Sequence, residues 1–230
     1  MTSFEKIESF TAILPLKFNS ERIPGKNFRE FMGAPLYQHM LNKLISIGMI
    51  SRVVVNTDAP MDLFQDYIGQ QKVEISVRPE HLMGDLISMN SIIGYEVNRL
   101  QHHHYFMTHT TNPLISVATI NAMLNTYLNL PSDFDSVFGA SKLYGRFLDK
   151  DGEPLNHNPS MLARTQDLDP VFLDNSCGYV FSKKSFMSTL ARIGSSPVRF
   201  ETPKLESIDI DEEEDWVLAE IVAKSNVLDV

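Results

Sequence analysis

The sequence predicts an α/β protein, a mostly parallel Rossmann-like sheet flanked by helices. Three observations predict it. The apolar runs 10–16 and 52–58 are continuous rather than alternating, which suits parallel strands covered on both faces. Segments with helical spacing alternate with such runs along the chain, as in successive βαβ units. Polar, turn-rich loops follow the runs, where an open α/β sheet holds its ligands.

The elements follow in order. Phe10 to Leu16 is too short and too close to Pro15 for a helix and reads as a buried strand. Asn19, Ser20, Pro24, Gly25 and Asn27 then make a loop. Leu36, Met40, Leu41, Leu44 and Ile45 recur at helical spacing up to Gly48. Arg52 to Asp58 is the second strand, Met61 to Gln71 a helix, and Val73 to Val77 the third strand. Ser88 to Leu100 is helical in pattern, Tyr105 to His109 extended, and Ile120, Met123, Leu124, Tyr127 and Leu128 mark a further helix. After Ser136–Ala140 the rhythm breaks. Residues 142–174 hold Asp151-Gly152, little helical period and a hairpin pattern from Phe147 to Leu155. The rhythm returns with Gly178–Ser182, a helix to about Ile193 and a strand near 198–201. Ser207 to Asp211 then leads into an amphipathic helix with Trp216, Val217, Ala219, Ile221 and Val222.

At 230 residues with 43% hydrophobic and 21% charged side chains, the chain suits one soluble domain, 1–230, with an excursion at about 142–174. The net charge of −9 gives a nucleic-acid partner no global support, so an anionic ligand must meet a local cation cluster. One cysteine, Cys177, excludes an internal disulfide, suits a reducing cytoplasm and reads as a small core residue. Met1 to Phe10 lacks a signal pattern, and no apolar run approaches the roughly 18–20 residues of a membrane span.

Five groups of residues carry chemistry. Lys17, Arg22 and Lys26 lie in the loop after the first strand, where cations and backbone amides can share a polyphosphate. No GxxxxGK[ST] or GxGxxG pattern is present. Asp209 and Asp211, read as a strand, would face the same way and suit Mg²⁺, which takes one or two carboxylates plus phosphates. Acidic decoration of a helix N-terminus accounts for Glu212–Asp215 but not for Asp209. Arg78 ends a strand within Arg78-Pro79-Glu80-His81-Leu82-Met83-Gly84-Asp85, and His109 to Leu114 follows another. Arg164-Thr165-Gln166 and Asp174–Gly178 close the set; an arginine there suits bidentate pairing with a carboxylate. His102 to His104 read as solvated loop histidines rather than zinc ligands.

These residues resemble the CMP-sugar synthetases, the acylneuraminate cytidylyltransferases and their relatives. The stretch from Pro15 to Asn27 keeps the spacing of P-A-R-G-G-S-K-R-I-P-G-K-N, with Lys17, Phe18, Asn19 and Glu21 as departures. Ser207-Ile-Asp-Ile-Asp211 matches S-I-D-I-D. Residues 109–115 resemble Q-P-T-S-P-L-R with His109, Asn112 and Ile115 changed, and 174–179 resemble P-N-G-A-I-Y. The resemblance implies a cytidylyltransferase joining CMP from CTP to an acidic nonulosonic or octulosonic sugar with release of pyrophosphate. It implies Leu14, Lys17, Ser20, Arg22, Lys26, Asn27, Arg78 and Asp85 on the nucleotide, and Lys17, Arg22, Lys26 and Asp211 in catalysis. It places His109, Thr111, Asn112, Arg164, Gln166 and Asn175 on the sugar, and Mg²⁺ on Asp209 and Asp211. It also implies that the 142–174 excursion is a dimerisation arm, hence a homodimer, with neither nucleic acid nor membrane as partner. Two alternatives share these residues: a glycosyltransferase consuming a nucleotide sugar, and a non-catalytic nucleotide-binding homologue.

Overall fold

All seven residues of β1 (Phe10–Leu16) are buried, so this strand lies inside the sheet rather than at its edge. The computed structural model describes residues 9–225, 227 and 228; residues 1–8 of the stretch read for a signal pattern lie outside them. A short hairpin, β2 (Glu30–Phe31) and β3 (Ala34–Pro35), leads into α1 (Leu36–Ser46) and β4 (Ile50–Thr57). Then come β5 (Val73–Val77), α2 (Met89–Arg99), β6 (His104–Met107), α3 (Val117–Leu128) and β7 (Ser136–Leu143). After the excursion come β8 (Val171–Ser182), α4 (Lys183–Thr189), β9 (Pro197–Glu201) and α5 (Glu213–Lys224).

Among the described residues seven strands form one sheet in the order β5-β4-β1-β6-β8-β7-β9. The neighbours β5–β4, β4–β1, β1–β6 and β7–β9 are parallel, while β8 runs antiparallel to both β6 and β7. The sheet is therefore mostly parallel, as expected. Side chains alternate across β1: Ala12, Leu14 and Leu16 pack with α1 and α3, while Ile13 joins Val54, Tyr105, Ile93 and Val97 on the α2 side. Both faces are covered, which is why the strand sequences are apolar without alternation. A third cluster ties Ile23, Phe31, Leu36, Leu114, Ile210 and Trp216 together, joining the loop after β1 to α5.

Several elements depart from the sequence reading. Residues 61–67 form a 3₁₀ helix broken at Phe64 (φ −114°, ψ 19°), not an α-helix to Gln71. Only Phe64 and Tyr67 are buried there, a spacing of three that suits the tighter helix, while Leu63 and Ile68 face water. α4 stops at Thr189 because Leu190 turns left-handed at φ 53°. On α5, Trp216 and Ala219 are buried but Val217 and Ile221 are exposed, so the apolar stripe is narrower than its composition suggested. The hairpin pattern from 147 to 155 is realised as a small loop: Asp149 N–H donates to the Glu153 carbonyl at 2.8 Å and Leu155 N–H to that of Phe147 at 2.9 Å. Among the described residues no helix is long and apolar enough to cross a membrane.

Candidate active site

The loop after β1 is fixed at both ends. The Asn27 amide donates to the Lys17 carbonyl at 2.7 Å, and its oxygen accepts from the Thr110 hydroxyl at 2.5 Å. Phe18 N–H donates to Asp58 at 2.7 Å, and its ring meets Phe28 edge-on. Gly25 takes φ +66° to enter the 3₁₀ turn Lys26–Phe28; a Cβ there would touch nothing within 4 Å, so the requirement is conformational rather than steric. Lys17 Nζ pairs with Asp85 at 2.8 Å, and that contact lowers the Asp85 pKa.

The loop faces the acidic segment directly. Lys26, almost buried, donates to the Ile210 carbonyl at 2.5 Å and reaches Asp211 Oδ1 at 3.3 Å. Arg22, more than half exposed, holds Asp211 Oδ2 at 2.9 Å. The segment carrying Asp209 and Asp211 is not the expected strand; it follows a 3₁₀ turn, Lys204–Ser207, and hangs on β6's loop through Ile210 N–H to the Thr111 carbonyl at 2.8 Å. Its backbone is extended at Ile208, so the alternation survives without a sheet: Ile208 and Ile210 pack against the third cluster while both aspartates line the cleft. Asp209 is mostly buried, and its Oδ1 has no hydrogen-bond donor among the described residues. Burial raises its pKa against the pull of the Thr111 hydroxyl, and Asp211 raises it further.

Beneath the loop lies Arg78, buried like a core residue. Its Nε donates to Asn56 Oδ1 at 2.7 Å and its Nη2 to the carbonyls of Leu16 and Asn56 at 3.1 Å, while Nη1 has no protein acceptor among the described residues. It does not pair with Glu80 or Asp85. Asn56 in turn donates to Glu96 at 2.7 Å, a fully buried carboxylate on α2 that also takes Ser76 at 2.5 Å and Arg99 Nε at 3.0 Å. The chain of contacts runs out to Glu74 and Arg52 at the surface.

The other wall is made of loops and of the kink in β8. His109 accepts from Arg192 Nη1 at 3.1 Å, and burial first, with the Arg192 charge second, pushes its pKa down to about 3. The Arg192 guanidinium stacks on the Tyr179 ring at 3.9 Å. Ser176 sits in the kink of β8 at φ +60°, where the related pattern has glycine. Lys43 braces the loop after β6 by donating to the Pro113 and Ile115 carbonyls at 2.6 and 2.9 Å; burial lowers its pKa to about 8.

Together these walls enclose a cleft of about 430 Å³, a size common for small-ligand sites. Of the residues singled out by sequence, Lys17, Ser20, Arg22, Lys26, Asn27, Arg78, His109, Thr111, Asp209 and Asp211 line it. Five do not. Leu14 is inside β1, and Asp85 stands behind Lys17. Asn112 is buried and donates to the Asn175 carbonyl at 3.1 Å; Asn175 is a buried peg on Thr202 and Ser141. Arg164 pairs with Asp167 at 2.7 Å on the exposed excursion. Gln166 lies beside it, also exposed and away from the lining. Sequence reading missed Met89, Ser176 and Arg192, all lining residues. Arg192 was hidden because the helix was drawn through it; Ser176 carried a signal, a side chain at a position the related pattern gives to glycine. Cys177 is a core residue, and burial raises its pKa to about 12.

Residues 11–227 match the family model described as cytidylyltransferase. The chain is 22% identical over 227 residues to the pseudaminic acid cytidylyltransferase of Campylobacter jejuni, covering 93% of this chain and 96% of that one. It is 22% identical over 218 residues to the N-acylneuraminate cytidylyltransferase of Streptococcus agalactiae, covering 89% of this chain and about half (51%) of that longer protein. Its fold is similar to that of a CMP:2-keto-3-deoxy-manno-octonic acid synthetase solved with CTP, at a TM-score of 0.63, 15% identity and coverage of 94% and 98%.

Proposed function

The chain belongs to the cytidylyltransferase family, and from that premise we propose that it transfers CMP from CTP to an acidic nonulosonic- or octulosonic-type sugar, releasing pyrophosphate. The observation that carries the reading is the meeting of Arg22 and Lys26 with Asp211 across one cleft. Five cations line that cleft, Lys17, Arg22, Lys26, Arg78 and Arg192, against two carboxylates. That excess of positive charge suits a triphosphate of about four negative charges. Membership in the family favours neither the glycosyltransferase nor the non-catalytic alternative.

In this reading Lys17, Arg22 and Lys26 neutralise the triphosphate, with Ser20 and Asn27 shaping the loop. Arg22 is exposed and free to exchange Asp211 for a phosphate; Lys26 is fixed by the Ile210 carbonyl and stays. Arg78 lies at the floor, its Nη1 without an acceptor among the described residues. Positioning and charge neutralisation are what such a transfer needs most. The sugar's anomeric hydroxyl attacks the α-phosphorus from the wall of His109, Thr111 and Ser176, and the pyrophosphate leaves toward the loop cations. His109 has already committed its free lone pair to Arg192, so it is not assigned as the proton acceptor.

Magnesium fits the donor set. Asp209 Oδ1 is a buried carboxylate oxygen with no donor among the described residues, and a cation beside it would remove that cost. Among the described residues no group of three or more His, Cys, Asp or Glu converges; Asp209 and Asp211 would hold the ion, with phosphate or water oxygens supplying the rest, as Mg²⁺ commonly requires. When bound it polarises phosphoryl oxygens and eases ionisation of the attacking hydroxyl. We also assign the 142–174 excursion to a homodimer contact: Leu148, Leu155, Met161 and Leu162 are exposed on it, and Arg164 and Gln166 reach a sugar only from a partner's excursion. A cytoplasmic location follows from the nucleotide substrate.

The test is pyrophosphate release from CTP and Mg²⁺ against pseudaminic, N-acetylneuraminic and 3-deoxy-manno-octulosonic acids. The expected result is CTP-dependent release with at least one acid. CTP binding without turnover on any of them would leave the non-catalytic alternative standing in its place.

A further inference from the structure

Arg192 is unlike the other cations of the cleft. Lys17, Arg22 and Lys26 each have a carboxylate partner, and Arg78 is bound to amide oxygens. Among the described residues Arg192 makes no ion pair. It is nonetheless held firmly. Its ring-stacked guanidinium lies 3.9 Å from the Tyr179 centroid and gives one N–H to His109. Arginine only donates, so His109 Nε2 accepts and presents a lone pair rather than a charge. The backbone is pinned as well: Arg192 N–H donates to Asn90 Oδ1 at 3.3 Å, and the Thr189 hydroxyl bonds to Ala191 N–H at 3.3 Å and to the Ile193 carbonyl at 3.4 Å. A guanidinium oriented by an aromatic face, with its remaining donors open to a cleft and no counter-ion, is a preorganised receptor for a planar anion.

We infer that Arg192 is the residue that grips the carboxylate of the acidic sugar, and so sets the demand for an acid as acceptor. This rests on the acidic-sugar reading above. It replaces Arg164 in that role. Arg164 is exposed on the excursion and already engages Asp167 through Nε at 2.7 Å and Nη2 at 3.0 Å, so a carboxylate would have to displace an existing bidentate pair. Arg192 lines the same cleft as His109, Thr111 and Ser176, and unlike Arg22 and Lys26 it does not touch Asp211. The carboxylate then docks away from the phosphates, and two anionic substrates occupy one cleft without sharing a cation.

The experiment is steady-state pyrophosphate release at saturating CTP and Mg²⁺, over the three acids above and over the methyl ester of the acid used best. Arg192→Met is expected to raise KM for the acid about 100-fold, the scale of one charge-assisted pair, and to erase the preference for acid over ester. Its KM for CTP should stay within about twofold, which also shows that the variant is folded. Arg192→Lys should recover about tenfold of the loss, since it restores charge without the fork. If wild type turns over an acid while Arg192→Met keeps both KM and the ester preference, the inference falls and the proposed function stands. Loss of acid affinity in Arg164→Ala with Arg192→Met unaffected overturns it the same way. Calorimetric titration of each acid into wild type with a non-hydrolysable CTP analogue covers the remaining case: no acid bound and none turned over sinks both readings together.

Discussion

The two walls of the cleft are built differently. The nucleotide wall is a network of buried groups: Asn27 tied to Lys17 and Thr110, Arg78 to Asn56, and Asn56 to Glu96. Arg78 also donates to the Leu16 and Asn56 carbonyls on β1 and β4, which cannot move without moving the sheet. The sugar wall is made of the loop residues His109, Thr111 and Arg192 and of Ser176 in the kink of β8, in a left-handed conformation that serine rarely adopts. Departures from the related pattern follow exposure only in part. In the loop after β1, Phe18, Asn19 and Glu21 are changed and exposed, whereas Ile23, Lys26 and Asn27 are kept and buried. Arg22 and Pro24 are kept though exposed, and after β6 Asn112 and Ile115 are changed though buried, so packing accounts for the buried part of the loop after β1 and not for the whole pattern.

Asp211 stands at the seam, and its loss is the largest effect expected. Asp211→Asn removes the charge that faces both Arg22 and Lys26 and half of the proposed magnesium pair. Turnover with CTP and the best acid should fall by about 10³-fold or more. Stability should change by less than about 1 kcal/mol, because the carboxylate is 43% exposed and its pairs are screened. Pyrophosphate assays and urea unfolding read the two separately. Near-normal turnover would detach the acidic segment from the chemistry and leave the two walls without a common centre.

The same division governs what the sequence disclosed. The sheet was legible because both faces of β1 and β4 are covered, which writes continuous apolarity into the chain. Strand direction is not written there: nothing in residues 171–182 distinguishes an antiparallel β8 from another parallel strand. The 3₁₀ segment 61–67 looked helical because Leu63 and Ile68 are apolar yet exposed, and exposure is decided by neighbours far along the chain. In the site, the seam was legible because Arg22–Asn27 and Ser207–Asp211 each form a contiguous pattern. The carriers of the sugar wall are scattered: His109 and Thr111 follow β6, Ser176 lies in β8 and Arg192 follows α4. Arg192 lies beyond the left-handed Leu190, a helix stop with no glycine to mark it. Arg164, by contrast, was visible as a motif but lies away from the cleft lining.

Glu96 offers the next test, since it supports only the nucleotide wall. It is a fully buried carboxylate taking Asn56, Ser76 and Arg99. Glu96→Gln supplies a donor where two donors already point and leaves Arg99 with one fewer charge. The cost to stability should be about 3 kcal/mol, as for breaking one side of a buried pair. If the network positions Arg78, KM for CTP should rise about tenfold while KM for the acid holds. Equal losses on both substrates would mean that the two walls are one structural unit, and the contrast between them would go.

The smallest effects come from a matched pair of left-handed residues, one on each wall. Gly25 at φ +66° needs no side chain and has open space around a notional Cβ. Gly25→Ala therefore incurs conformational strain without a clash, about 1 kcal/mol once the stiffer unfolded chain is credited. Ser176 at φ +60° already carries that strain. Ser176→Gly removes it but loosens the unfolded chain and deletes the hydroxyl, so a net gain of only about 0.5 kcal/mol is expected. The two changes should thus move the urea midpoint in opposite directions at unchanged m-value. A loss in both would show that the Ser176 hydroxyl is itself held in place, making the sugar wall as tightly built as the nucleotide wall, and the loose side of the cleft would have to be sought in Arg192 alone.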